Sequence, residues 1–447
     1  MRSRLAWAGR KLGTRSFVAL LLIALAVRLV AVAATPDYTP RHDDRDYDRL
    51  ACWISDHGFP PRRSPPFPGR GSCDVRGGSG AVTAYRPPLW PVLLGATYAV
   101  AEPFGIDRWT AGRVAQALLG VAIVALTGAI AGPLAMGLAA IFLPLVLDGG
   151  SLISEPLFVV FELAAVLAVL RCRRSSRVAW AVAAGACVGL AALTRTSGAL
   201  LAIPLLIALP RGRRLAGAAC FAAAAVLVVA PWTIRNAVVL HAFVPVSTES
   251  GPTLLGTYNA AARDDPDCRA CWVLLSKTPG EMALAHRLKR LSEVDRDRES
   301  RSLALRFAGD HPGYVLQVAW HNTVRLLDLA GEARTRFAAR TIDVPPGAAV
   351  VGAWELWLLL GLVAFSVARR RPWGLLALVA FLWITTVLVQ SETPRFRAAI
   401  DPFLVILAAL IVSDGRLSRP AHSSRRRRRC QSPARPASGS PAGRSSM

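Results

Sequence analysis

The chain predicts an all-α polytopic membrane protein with about ten spans, within a range of roughly nine to thirteen. Three observations predict it. Hydrophobic residues make up 53% of 447 positions, and the mean hydropathy is +0.39, which is too apolar for a soluble enzyme of this length. Apolar runs of about 15–20 residues recur, broken by short basic clusters. The net charge of +24 is gathered at the ends of those runs, in 171–174, 211–214, 369–371 and 425–429. Positive charge so placed sets orientation in a membrane. It leaves no nucleic-acid face to explain.

Residues 1–15 carry Arg2, Arg4, Arg10, Lys11 and Arg15, which places the N-terminus inside. The first span is 16–34. Ala31-Val-Ala resembles a signal-peptidase site, but the run is long and Arg28 interrupts it, which favours an uncleaved anchor. Arg28 either snorkels to the outer surface or faces a site there.

Residues 35–86 form the first outer loop. It holds five acidic side chains between Asp43 and Asp56. Tyr47, Leu50, Ala51 and Ile54 keep helical spacing, so a short amphipathic helix is predicted over 46–54, with Asp43 and Asp44 in the turn leading into it. Carboxylates there can also serve only as caps. The Pro- and Gly-rich stretch 60–80 is predicted irregular.

Residues 87–236 form a transmembrane bundle. Of the apolar segments 89–101, 114–132, 133–147 and 152–170, an odd number must cross, so one short piece is expected to be bent or partial. Then 178–193 goes out, Thr194-Arg-Thr-Ser-Gly turns, and 199–209 returns. Segment 215–229 goes out again and ends at Pro231-Trp232. Residues 237–349 form the second outer region. It contains a Gly-rich turn (247–259), a charged helical stretch (281–307) and an amphipathic stretch lying on the membrane (315–329). The C-terminal spans lie within 350–413, at 352–367, 373–389 and 403–412. The Arg-, Ser- and Pro-rich tail 414–447 is predicted to be disordered, cytoplasmic and attracted to anionic lipid.

Cys52 and Cys73 share the first outer region, and Cys268 and Cys271 share the second, where disulfides are allowed. Cys-Arg-Ala-Cys (268–271) also has the spacing of half a zinc site, but no matching second pair lies nearby.

The outer face collects acids (Asp37, Asp43, Asp44, Glu155) and arginines (Arg195, Arg235, Arg395, Arg397) at loop-to-span junctions. Arginine forks suit a phosphate, and a carboxylate suits proton abstraction. A donor carried on a lipid phosphate would lie in the bilayer with its headgroup between them. Taken singly, each arginine also reads as an anchor that snorkels. The sequence contains no P-loop, GxGxxG, Gly-x-Ser-x-Gly or metalloprotease zinc spacing.

These pieces recur in a fixed order. An Asp44-x-x-Tyr47-x-x-x-Ala51 helix closes at Gly58. Tyr-Arg-Pro-Pro-Leu-Trp-Pro (85–91), Ser-Glu-Pro-Leu (154–157), Leu-Thr-Arg-Thr (193–196) and Pro-Trp-Thr-Ile-Arg-Asn (231–236) follow. The Gly-rich 247–259 segment comes next, then Pro-Arg-Phe-Arg (394–397) with Pro402. Over residues 15–413 the chain resembles the C superfamily of glycosyltransferases. The similar branch holds the protein O-mannosyltransferases and the lipid A aminoarabinose transferase. The resemblance implies an integral enzyme of the cell membrane. It would move a sugar, with inversion, from a polyprenyl-monophosphate carrier to an envelope protein, lipid or polysaccharide on the outer side.

It further implies Asp44 as catalytic base with Asp43 beside it, and Arg395 and Arg397 on the lipid phosphate. Arg195, Arg235, Glu155 and Tyr47 complete the substrate-binding set. Some members bind a divalent metal; no matching His/Glu pair is present, so no metal ligand is assigned, and the sequence requires no cofactor while leaving a divalent metal open. A lipid or small-molecule transporter is the competing class. Transporters tend to show internal repeats and mid-membrane polar groups. Here no repeat is evident and the charges gather at the outer face, Glu162 excepted. A non-catalytic scaffold would not need acids facing arginine turns.

Overall fold

Long runs of Ala, Leu and Val satisfy their own backbone only as helices, which is what a bilayer requires. The computed structural model describes residues 13–60, 73, 82–210, 214–341, 344–389 and 393–412, and helix is the regular element among them. They fall in one unit, residues 7–413; the other unit, residues 1–6 with 414–447, lies outside the described residues. So do most of 60–80 and the basic tail.

The helices run α1 (Thr14–Ala33), α2 (His42–His57), α3 (Leu89–Ala101), α4 (Arg108–Ala131), α5 (Pro133–Ile141), α6 (Leu143–Leu147) and α7 (Glu155–Ser175). Then come α8 (Val178–Thr194), α9 (Ala202–Ala208), α10 (Arg214–Leu240), α11 (Ser250–Thr257), α12 (Ala260–Asp264), α13 (Met282–Lys289) and α14 (Glu293–Asp310). The last are α15 (Pro312–Leu326), α16 (Glu332–Thr341), α17 (Pro346–Arg370), α18 (Trp373–Val387) and α19 (Asp401–Ala409). By length and composition 4 described helices can cross a membrane, α1, α4, α10 and α17, or 5 if the bent pair α5–α6 is one span. The count of about ten rests on including the shorter apolar helices, among them α8, α9 and α18.

Three boundaries differ from those read in the sequence. α10 continues through Pro231 instead of ending there; a membrane helix tolerates proline when neighbours re-satisfy the freed groups. The Gly-rich 247–259 stretch is mostly helix, α11, not turn. The charged 281–307 stretch is two helices, and Ser292 caps the second by accepting from Asp295 N–H.

α8 and α10 pack closely because Gly185 and Gly189 leave room; a Cβ on Gly185 would collide with the Phe221 backbone. α11 to α15 build a separate core around Leu255, Tyr258, Leu288, Tyr314 and Val318. α2 is pinned to α3 and α4 by Asp48. This fully buried carboxylate accepts from Tyr98 Oη (2.9 Å), Arg108 Nε (3.1 Å) and Trp109 Nε1 (3.0 Å). A Cys52–Cys73 disulfide ties α2 to Cys73, and Cys268–Cys271 is a disulfide as well.

The bent segment is α5–α6, with an angle of 61° between its halves. A break inside an apolar bundle strands carbonyls on one side and N–H groups on the other. Arg28, on α1, donates to Ala140 O (3.2 Å) and Ala139 O (3.4 Å). Glu355, on α17, accepts from Leu143 N–H (2.7 Å). Each charge has the sign that its helix end favours. Arg28 therefore neither snorkels nor faces the outer site. It is 2% exposed and lies against Gly120. Arg28→Leu is expected to destabilise the fold by about 1–3 kcal/mol, for carbonyls left unpaired. A fall in Tm in detergent checks this, with Leu22→Ala, on the exposed side of α1, as control.

Candidate active site

α2 delivers both predicted carboxylates from its first turn, His42 to Asp44, rather than from a turn before it. Their hydrogen bonds do not run alike. Asp43 is held by Arg86 Nη2 (2.6 Å) and by Arg395 Nη2. Asp44 accepts from Tyr38 Oη (2.7 Å), which in turn accepts from Leu152 N–H (3.0 Å). The Asp43 side chain is 31% exposed, whereas Asp44 is 3% exposed.

Burial and charge then separate the two acids. Burial raises Asp43, but Arg86 and Arg395 outweigh it and hold the carboxyl well below the usual range. Burial pushes the Asp44 carboxyl up to about 7, against the Tyr38 hydrogen bond and Arg395, which pull it down. Two adjacent carboxylates thus differ: one stays ionised, and the other changes charge near neutrality.

Arginines and carboxylates alternate around them. Arg86 also reaches Asp46 (2.9 Å) and Glu249 (3.1 Å), and stacks 5.3 Å from the Tyr47 ring centroid. Arg195 pairs with Glu155 (2.8 Å) and donates to Ser154 Oγ (3.1 Å), which Tyr47 Oη also reaches (3.2 Å). Arg395 Nε lies 3.8 Å from Glu155. Six elements therefore meet: α2, the segment before α3, the start of α7, the turn after α8, the N-cap of α11 at Glu249, and the turn Pro394–Arg397.

The structure thus brings together Asp43, Asp44, Tyr47, Glu155, Arg195 and Arg395. It does not bring in Arg397 or Arg235. Arg397 is 1% exposed and bonded to Asp401 (2.7 Å), Asp328 (3.2 Å) and Leu326 O. The short 3-10 turn points Arg395 and Arg397 to different partners. Arg235 donates to Thr83 O (3.0 Å) and Asn236 Oδ1 (2.8 Å), with its guanidinium 4.6 Å from the Trp232 ring centroid. Asp37 is exposed and joins none of these pairs. Arg86, Tyr38 and Glu249 were not singled out from sequence. Arg86 and Glu249 lie inside quoted motifs, but nothing local marks them among so many charges. Glu162, on α7, is fully buried with neither carboxylate oxygen hydrogen-bonded, and the fold offers no reason for it. No group of three His, Cys, Asp or Glu side chains arranged for a metal occurs among the described residues.

Fold and site together define an all-helical polytopic membrane protein with a buried charged site fed by loops and span ends. No protein-family model matches the chain, and no curated protein does. Solved structures similar to it include two of ArnT from Cupriavidus metallidurans. The one bound to undecaprenyl phosphate is 16% identical, with TM-score 0.37, over 90% of this chain and 78% of that one. The apo one is 17% identical, with TM-score 0.38, over 89% and 77%. Likeness at this level assigns no residue a role.

Proposed function

We propose that the chain is an inverting glycosyltransferase that moves a sugar from a polyprenyl-monophosphate carrier to an envelope acceptor, at the outer face of the cell membrane. On this reading residues 35–86 and 237–349 lie outside. The observation that carries it is the Arg395–Asp43 pair. It joins the first outer helix to the last outer turn across 352 residues of sequence, one residue from a carboxyl that titrates near neutrality. Arginine forks that hold carboxylates in this site are the groups a lipid phosphate would take over.

An acceptor hydroxyl oxygen attacks the anomeric carbon from the face opposite the leaving group. The bond from that carbon to the phosphate oxygen breaks, and the polyprenyl phosphate leaves with the electron pair. The hydroxyl proton passes to Asp44, which must be ionised to take it. Arg395 stabilises the leaving phosphate, with Arg86 and Arg195 as further cations at the site. Glu155 positions Arg195 and Tyr47 helps seat Ser154.

The test is reconstitution of the full chain in vesicles with a labelled polyprenyl-phosphate sugar, beside a comparison of envelope lipids, polysaccharides and glycoproteins with and without the protein. Consumption of the donor and loss of one glycan from the envelope are expected. An unchanged envelope and an unconsumed donor overturn the reading.

A further inference from the structure

Two disulfides lie among the described residues, and they are placed differently. Cys52 is fully buried on α2, so its bridge is closed off at that sulfur. Cys268 and Cys271 stand three residues apart, just after α12. Cys268 is half-buried and Cys271 is buried. This bridge offers one sulfur to an incoming reagent and keeps the other behind it. The chemistry described above uses neither.

Two observations set it apart from a bridge that only ties the chain. Arg334, on α16, donates through Nη2 to Cys271 Sγ (3.4 Å). A guanidinium there favours that sulfur as a thiolate, and a sulfur that is stable as a thiolate leaves a disulfide faster. The second observation is what the turn is fastened to. Arg325, at the end of α15, donates to the carbonyls of Arg269 and Ala270, the two residues between the cysteines. The next residue, Leu326, accepts at its own carbonyl from Arg397. Arg397 belongs to the turn Pro394–Arg397, which also carries Arg395. Ala270 has φ +58°, in the left-handed region, which an alanine keeps only where its surroundings fix it. The bridge around it and Arg325 on its carbonyl fix it here. Opening the bridge removes one of those two restraints.

We propose that Cys268–Cys271 is a thiol–disulfide exchange site for a dithiol, and that its state sets how firmly the turn Pro394–Arg397 is held. Neither part depends on the transferase reading. A thiolate of the dithiol attacks Cys268 Sγ. The bond to Cys271 Sγ breaks, and Cys271 leaves with the electron pair beside Arg334. The dithiol's second sulfur, as thiolate, attacks its partner sulfur in the mixed disulfide, and Cys268 leaves as a thiolate. Two electrons have then passed to the chain and the dithiol has become a disulfide. The two thiol protons pass to water or to the freed cysteines.

The experiment exposes the full chain in lipid nanodiscs to dithiothreitol, quenches with an alkylating reagent and maps the cysteines by mass spectrometry. Cys268 and Cys271 are expected to be alkylated before Cys52 and Cys73, and to close again when oxidised dithiothreitol is added. Arg334→Gln is expected to slow the opening about threefold or more, the effect of one pKa unit at a coefficient near 0.5. Arg334→Lys keeps the charge and is expected to keep most of the native rate. Hydrogen exchange on the same sample is expected to quicken over residues 322–328 and 394–400 on reduction, with α8 unchanged. The double variant Cys268→Ser with Cys271→Ser should match the reduced chain. The order of opening and the hydrogen exchange are read on the native chain, so they decide even if a variant fails to fold. Opening no earlier than Cys52–Cys73, or an unchanged rate in Arg334→Gln, overturns the exchange site. Unchanged hydrogen exchange over 394–400 overturns its hold on the turn.

Discussion

Asp44→Asn is expected to insert and fold like the native chain and to lose turnover by about 10²–10⁴-fold, the usual share of a general base. The amide has the carboxylate's shape but cannot take a proton. In the native chain, turnover is expected to rise with pH through about 7, where the buried carboxyl ionises. Tyr38→Phe removes a hydrogen bond that favours the ionised form, so that limb should move to higher pH. Stability carries an independent sign. Between the ordinary aspartate range and about 7 the folded chain binds a proton that the unfolded chain has lost. Asp44 therefore favours the fold at low pH and loses that advantage as pH rises toward 7. Asp44→Asn should remove this slope. A cap would behave otherwise, because Asn caps a helix as well as Asp. Full activity in Asp44→Asn would refute the assignment. Asp43→Asn should cost less, since two arginines keep that carboxyl a poor base. Loss at Asp43 with tolerance at Asp44 would move the base by one residue.

Arg395→Ala and Arg397→Ala are expected to fail in different ways. Arg395 leans into the site, so its loss should raise the donor KM by about tenfold or more, for a charged contact of about 1.5–3 kcal/mol. Lysine should rescue poorly, because a point charge does not reproduce the fork. Arg397 is sealed between Asp401 and Asp328. Removing it leaves two buried carboxylates without their cation, which costs about 3–5 kcal/mol of stability. The readout there is Tm and yield, with donor KM unchanged in whatever folds. Steady-state kinetics beside thermal unfolding of both variants separates the two. An unchanged donor KM and turnover in Arg395→Ala would remove the phosphate role.

The apolar runs made the spans legible, because a helix in lipid needs nothing but length and hydropathy. The spacing of Tyr47, Leu50, Ala51 and Ile54 made α2 legible too. Proline and glycine misled in two places, at Pro231 and at Gly251 and Gly256, where tertiary packing outweighed their local preferences. A Cβ on Gly256 would collide with Trp272, so that glycine serves a close approach rather than a turn. Within the site, Asp44 and Arg395 were legible because they lie at junctions between loop and span. Arg397 was read as their equal because sequence spacing alone does not show how a 3-10 turn fans its side chains. Arg86 was hidden among many arginines, and only the fold shows three carboxylates converging on it.

The bent segment α5–α6 has a consequence for how the protein is made. Its two stranded ends are served by helices from opposite ends of the chain, Arg28 before it and Glu355 after it. A chain that emerges N-terminus first has the arginine already in place when the break arrives. The glutamate follows 212 residues later. During that interval Leu143 N–H has no carboxylate to receive it. Biogenesis should therefore pass through a stage in which the bent segment is half secured. A chain truncated before α17 should be cleared by quality-control proteases faster than one truncated after it.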